Sequence, residues 1–192
     1  PEPAAVSSAP TRLFQGWAPE EPDAPAILAR MGKVYAGCRS YRDSGVVEQL
    51  VLDEVAGKRT ARMPFTTAFV RPDRFRYEVR RRRGAEEFDR CLVWRNAEDV
   101  RGWWDVRPGV VSGNLPTIMG AASVVSAFSA DTIPALLLPE LSGVRVTSLS
   151  EPQRMEDEEF AHAPCFVLQG RWLGGSMTLW IDRQSFLLRQ TL

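Results

Sequence analysis

Between Arg74 and Arg80 the chain reads Arg-Phe-Arg-Tyr-Glu-Val-Arg, charged and apolar side chains taking turns without exception. Successive side chains point to opposite faces only in extended backbone, so this run predicts a β-strand with one wet face and one buried face. Such a strand needs paired neighbours and an apolar cover for its dry side. Neighbours are at hand. Phe65, Thr67 and Phe69 alternate with Thr66, Ala68 and Val70 just before it, and further strands are expected over residues 46–53, 88–95, 100–106, 144–150, 165–172, 176–182 and 186–191. In the first of these, Val46, Leu50 and Leu52 share one face, with Glu48 as an exception. Short links at Arg71-Pro72-Asp73, Asn96-Ala97-Glu98-Asp99 and Leu173-Gly174-Gly175 make consecutive strands antiparallel hairpin partners, hence a meander.

Two segments break the period of two. After Asp23, a good N-cap, Pro25 stands near the first helical position, and Ile27, Leu28, Met31, Val34, Tyr35 and Cys38 recur at helical spacing, which predicts one amphipathic helix. Residues 115–130 then carry no charge at all and are rich in Ala, Ser, Val, Met and Gly. Ile118, Ala122 and Val125 keep helical spacing on one side, Ala121, Val124 and Phe128 on another, and Asp131 and Thr132 cap a short second turn over 132–138. A helix apolar on most sides demands cover on more than one face. Pro116 and Pro134 bound the segment, which falls short of the roughly 18 to 20 residues that cross a bilayer.

The first 23 residues hold many of the prolines and read as a flexible tail with Phe14 and Trp17 in it, of the kind that follows a cleaved leader or lipid anchor; residues 24–192 read as a single domain. Because the chain stops inside an apparent strand at Thr191-Leu192, a truncated C-terminal part is expected. Lys+Arg and Asp+Glu both number 24, so the basic surplus that nucleic acid demands is missing, and no nucleic-acid partner is expected. The run Arg80-Arg81-Arg82-Arg83, followed by Gly84, Glu86 and Glu87, reads as a solvated hairpin end.

Catalytic signals are thin. A triad would have to use the single histidine, His162, which follows the acidic run Glu156-Asp157-Glu158-Glu159 and reads as exposed. That run lacks the alternating ligands and glycine of a calcium loop, and one histidine with scattered Cys38, Cys91 and Cys165 makes no zinc site. Asp105 and Asp182 read as strand-end charges rather than as paired catalytic carboxylates, and Gly170, Gly174 and Gly175 as turn residues. No enzyme activity, metal or cofactor is expected. Three cysteines allow at most one disulfide; Cys38 with Cys165 is the candidate pair, with Cys91 left buried. What stands out is aromatic content: Trp94, Trp103, Trp104, Trp172 and Trp180 lie on strands, and the adjacent Trp103 and Trp104 must face opposite ways. A sheet greasy on both sides needs two covers or an inner hollow, either a filled core or a ligand cavity.

Several words in this order resemble the LolA/LolB-like lipoprotein carrier superfamily. Phe69-Val70-Arg71-Pro72-Asp73-Arg74-Phe75-Arg76-Tyr77 resembles its strand–turn signature; Leu92-Val93-Trp94-Arg95 resembles the following hairpin, with Asn96-Ala97-Glu98-Asp99 in place of the usual Asp-Gly turn. Leu179-Trp180-Ile181-Asp182-Arg183 resembles the late strand, and Cys38-Arg39-Ser40-Tyr41-Arg42-Asp43-Ser44-Gly45 is similar to a bacterial outer-membrane lipoprotein-sorting-like branch. The resemblance implies an α+β fold: a strongly curved antiparallel sheet, an incomplete barrel, with an N-terminal helix and a helical lid on its concave side. It implies a periplasmic or outer-membrane-anchored protein that binds a lipid or acyl chain, with a lipoprotein or envelope protein as the wider partner class and a monomer favoured. The lid would be about residues 115–138, longer here than in the carriers, and Arg71 would be the arginine that latches it. On this reading the apolar cavity is lined by Phe69, Phe75, Tyr77, Leu92, Trp94, Trp104, Phe166, Leu168, Leu179 and Ile181, with Ile118, Met119, Val125 and Leu137 supplied by the lid. The rival expectation is a structural or protein-interaction domain of the envelope with a filled core.

Overall fold

In a computed structural model, residues 21–53, 57–82, 88–105, 107–141 and 145–192 are described. The expected tail lies outside them up to residue 20; of the expected hairpin end, Arg80, Arg81 and Arg82 belong to a strand and residues 83–87 lie outside the described residues. Over the described residues the fold is α+β, with two antiparallel sheets that do not close into a barrel.

Helix α1 (Ala24–Gly37) forms where the capping signals place it. Asp23 accepts the Ala26 N–H at 2.8 Å, and Ile27, Leu28, Met31 and Tyr35 turn into the interior, each burial worth about 1.5–3 kcal/mol. Six strands follow in spatial order: β1 (Ser40–Asp53), β2 (Gly57–Val70), β3 (Arg74–Arg82), β4 (Phe88–Asn96), β5 (Asp99–Trp104) and β6 (Arg107–Ser112). Strand β6 was not foreseen, because it opens on Pro108 and Gly109, poor strand formers that sit here on an edge. The second sheet runs β11 (Leu188–Thr191), β10 (Gly175–Asp182), β9 (Ala163–Trp172) and β7 (Ser150–Arg154), with the short β8 (Glu158–Phe160) pairing β9. The hairpins expected at Arg71-Pro72-Asp73, Asn96-Ala97-Glu98-Asp99 and Leu173-Gly174-Gly175 all form, with residues 71–73, 97–98 and 173–174 between the paired strands.

Three details differ from the sequence reading. The strand expected over 144–150 is a 3-10 turn, Val146–Ser148, and β7 starts only at Ser150; Val146 and Leu149 bury at a spacing of three, which suits a turn. In β1 the face carrying Val46, Leu50 and Leu52 points outward, while Tyr41 and Val47, on the opposite parity, pack against the core. The three cysteines are free thiols, so Cys38 and Cys165 are not joined, although Cys91 is buried as expected.

The insert is helix α2 (Leu115–Val125), a 3-10 turn (Ser129–Asp131) and helix α3 (Ile133–Leu137). It packs on β4 and β5 through α2 and on α1 through α3. Helix α1 in turn joins both sheets: the Tyr35 ring lies 5.5 Å from that of Tyr41 in β1, and the Leu188 N–H in β11 donates to the Tyr35 hydroxyl at 3.1 Å.

Candidate functional site

The inner face of the six-stranded sheet is set by register. Tyr77 stands opposite Thr67 and Val93, Phe75 opposite Phe69, and Cys91 opposite both Val79 and Trp104, so these side chains share the face that meets the insert. In the second sheet, Leu168 pairs with Leu179 and Phe166 with Ile181, again on the inward side. Ile118, Met119 and Leu137 enter the same cluster from the insert. Eight of the ten expected lining residues are therefore brought together, Trp104 at its half-buried margin. Leu92 and Trp94 are not. They stand opposite Glu78 and Arg76, on the outer face, because Cys91 and Val93 take the inward positions of β4. Val125, expected beneath the insert, is exposed at the end of α2.

The interior is filled. Tyr77, Leu168, Leu179, Ile181 and Leu137 each have 0% of their surface accessible. A hollow wide enough for an acyl chain would leave its walls reachable by a water-sized sphere, and these walls are not. Two grooves among the described residues lie elsewhere. One, of about 370 Å³, opens between α1 and Thr147, Leu149 and Pro152; another, of about 450 Å³, lies beside Arg154 and Asp157. Neither touches an expected lining residue.

What joins the insert to the sheet is mostly apolar. The Tyr77 and Ser129 hydroxyls are 2.6 Å apart and buried, and burial pushes the Tyr77 phenol up to about 12, so it stays protonated. Ser126 also neighbours the Tyr77 hydroxyl and, with Ser129, offsets part of that rise. Within the insert, Ser123 Oγ donates to Asp131 Oδ1 at 2.6 Å, the Ala130 N–H donates to Ser126 Oγ at 3.2 Å, and Thr132 Oγ1 donates to the Ser129 carbonyl at 2.6 Å. At Gly102 the packing is closest. A Cβ there would come within 2.6 Å of Trp104 and 2.9 Å of Ile118, so only glycine lets the helix sit down on β5. The outward side of α2 is uncovered, with Val124 73% and Phe128 50% exposed, contrary to the expectation that both apolar faces find cover.

Arg71 engages a different element from the one expected. Its Nε donates to the Cys38 carbonyl at 2.8 Å and its Nη2 to the carbonyls of Tyr35 and Ala36 at 3.1 and 2.7 Å, so it caps the C-terminus of α1 and does not latch the insert. The last carbonyls of a helix lack intrahelical donors and carry partial negative charge, which a guanidinium satisfies directly.

One polar inset interrupts the greasy interior, and the sequence reading missed it. Half-buried Asp43 and buried Thr67 are cross-strand partners on β1 and β2, and Thr67 lies beside the Asp43 carboxyl, where its hydroxyl and N–H favour the charged form. Asp43 Oδ2 accepts from the Tyr41 hydroxyl at 3.1 Å, while burial pushes the Asp43 carboxyl above its ordinary range. The signal available was Asp43 at even spacing with Tyr41 and Val47, the β1 residues that pack against the core.

The residues weighed for catalysis are spread apart in roles of their own. His162 is exposed and lies 3.5 Å from Glu159. Glu158 accepts from the Trp180 indole N–H at 2.8 Å, and Asp157 pairs with Arg154 and Arg183. Asp105 accepts from the Arg90 N–H at 2.7 Å, whereas Asp182 is buried at the end of β10. Among the described residues no cluster of His, Cys, Asp or Glu has the makings of a metal site, and no helix is long and apolar enough to cross a membrane.

No family model matches the chain, and no curated protein matches it. Among solved structures it is similar to a chain described as a "putative outer membrane lipoprotein-sorting protein domain" from Vibrio parahaemolyticus, with 14% identity over 84% of this chain and 67% of that one and a TM-score of 0.36.

Proposed function

We propose that this chain is a non-catalytic binding domain of the bacterial cell envelope that takes an acyl chain between its inner sheet face and the 115–138 lid, the site being opened by the ligand rather than standing open. One observation supports this above the rest: the lid meets the sheet mostly through apolar side chains, with the Tyr77–Ser129 hydroxyl pair and Ser126 beside it, while Ser123, Asp131 and Thr132 are satisfied internally. A body so made can lift without leaving buried polar groups orphaned, beyond that pair. The surface it uncovers is what an acyl chain covers again, at about 0.8 kcal/mol per methylene. Phe69, Phe75, Tyr77, Trp104, Phe166, Leu168, Leu179 and Ile181 would form the wall, with Ile118, Met119 and Leu137 above them.

The test is uptake of a fluorescent fatty acid by the wild type and by Tyr77→Phe. Loss of the latch hydrogen bond, worth about 1 kcal/mol, raises the open fraction and should tighten apparent binding about fivefold. Absence of uptake, or uptake indifferent to Tyr77→Phe and to the lid, overturns the reading. A second reading is favoured by the filled interior itself: a solid domain whose exposed Val124 and Phe128 dock on an envelope protein. It expects no acyl uptake in either protein.

A further inference from the structure

The outer face of the six-stranded sheet carries a charge pattern that overall neutrality conceals. Strands β1 to β3 pair without a register shift, so alternation puts Arg42, Arg62, Arg74, Arg76 and Arg80 on that face. Across β4 and β5 it adds Arg90 and Arg101. With Lys58, eight cationic side chains stand there among the described residues against three carboxylates, Glu48, Glu78 and Asp99, an excess of five on a chain of zero formal net charge.

The centre of this face is built. Glu78 accepts from Arg76 Nη2 at 2.9 Å, Arg80 Nε at 2.8 Å, and Arg90 Nε and Nη2 at 2.9 and 3.1 Å. One carboxylate thus fixes three guanidiniums and leaves two positive charges over, with the arginine side chains 36–57% exposed. Of the chain's 24 cationic residues 22 are arginine, whose planar fork matches phosphate oxygens two at a time. Trp94 lies between Arg76 and Arg101 across the strands, and the Arg90 guanidinium sits 5.7 Å over the Trp103 ring.

The β1–β2 hairpin decides what kind of polyanion fits. Leu50 and Leu52, on the same outward parity as the arginines, are 53% and 77% exposed. The phosphate backbone of a nucleic acid has nothing to offer these leucines. A layer of anionic headgroups over acyl chains satisfies both features, with tryptophan at the depth where its ring is half wet.

We propose that this outer face docks on an anionic phospholipid surface, its arginines on the phosphates and Leu50 and Leu52 dipping into the acyl boundary. The docking does not depend on the lid. Flotation of the whole chain with vesicles of phosphatidylglycerol and phosphatidylcholine tests it, against vesicles of phosphatidylcholine alone. Binding should require phosphatidylglycerol and weaken as salt is raised. Each arginine near such a surface is worth about a fivefold change, so Arg42→Gln/Arg62→Gln/Arg74→Gln, three exposed positions, should bind about a hundredfold more weakly with unchanged circular dichroism. Leu50→Ser/Leu52→Ser should remove the binding that survives high salt. Equal binding to both vesicle types, full binding by the arginine variant, or preference for a single-stranded oligonucleotide over the vesicles overturns the proposal. Vesicle binding that persists where fatty-acid uptake fails separates this surface from the interior site.

Discussion

Acidification from neutrality to about pH 2 is expected to remove roughly 3 kcal/mol of stability, mostly through two carboxylates. Burial alone would push the Glu78 carboxyl up, but hydrogen bonds from Arg90, Arg80 and Arg76 outweigh it and hold the group at about 2 against an ordinary 4.5. Asp182 is likewise held at about 2 against 3.8: burial is outweighed by the Ser185 N–H, Arg189 and the Gln184 N–H. Both folded values lie below the unfolded ones. The stability they confer is therefore complete above the unfolded values, 4.5 and 3.8, and is lost as the pH falls through about 2. The full shifts would amount to more, but the arginines around Glu78 are a third or more exposed and solvent screens them. Asp43 and Asp131 act with the opposite sign. Burial raises both carboxyls, so their protonation stabilises the fold and softens the decline. Urea unfolding across this range checks the expectation, and Glu78→Gln should flatten much of the slope. A profile without slope between pH 5 and 2 in the wild type would show that these arginines do not hold their carboxylates in solution.

Truncating Leu137 to alanine should cost about 3 kcal/mol of stability. Leu137 is wholly buried in α3, in the core that α1, both sheets and the lid share, so the missing methyls leave a void that this dense packing cannot fully close. The same void lies beneath the lid. Apparent affinity for a fatty acid should therefore rise while stability falls, two readouts moving in opposite directions from one substitution. Denaturant midpoints and probe titration report them separately. A loss below about 1 kcal/mol would mean the lid is not packed as drawn.

The elements that were legible in the sequence are those where local chemistry and packing agree. Asp23, Pro25 and the stripe from Ile27 to Tyr35 all specify the same helix, and the arginine alternation of β3 admits a single face inward. Legibility fails where both parities are apolar. In β4, Cys91 and Val93 compete with Leu92 and Trp94 for the interior on nearly equal terms, and the winner depends on which pair meets Tyr77 and Val79 across the ladder. In β1 the larger aliphatics, Leu50 and Leu52, lie on the outer side because the hairpin extends beyond the core that would bury them. Alternation marked Glu78 as wet; three arginines roof it over, an arrangement visible only once β3 and β4 are paired. Arg71 was read as a latch for the insert, yet its partners lie 33 to 36 residues earlier in α1, a distance in sequence that no local pattern encodes. Nor does a list of apolar residues tell a hollow from a solid. The outcome depends on whether side-chain volumes fill the space between the layers, and here they do.

That leaves the insert as the decisive element: under the proposed function an acyl chain would enter only by displacing it. Methyl NMR with a spin-labelled fatty acid measures that most directly. The methyl signals of Ile118, Leu137, Leu168, Leu179 and Ile181 are expected to broaden away on addition of the labelled acid, since these side chains would line the opened site. Unchanged interior signals, with broadening confined to surface methyls such as those of Val124 and Leu50, would contradict it.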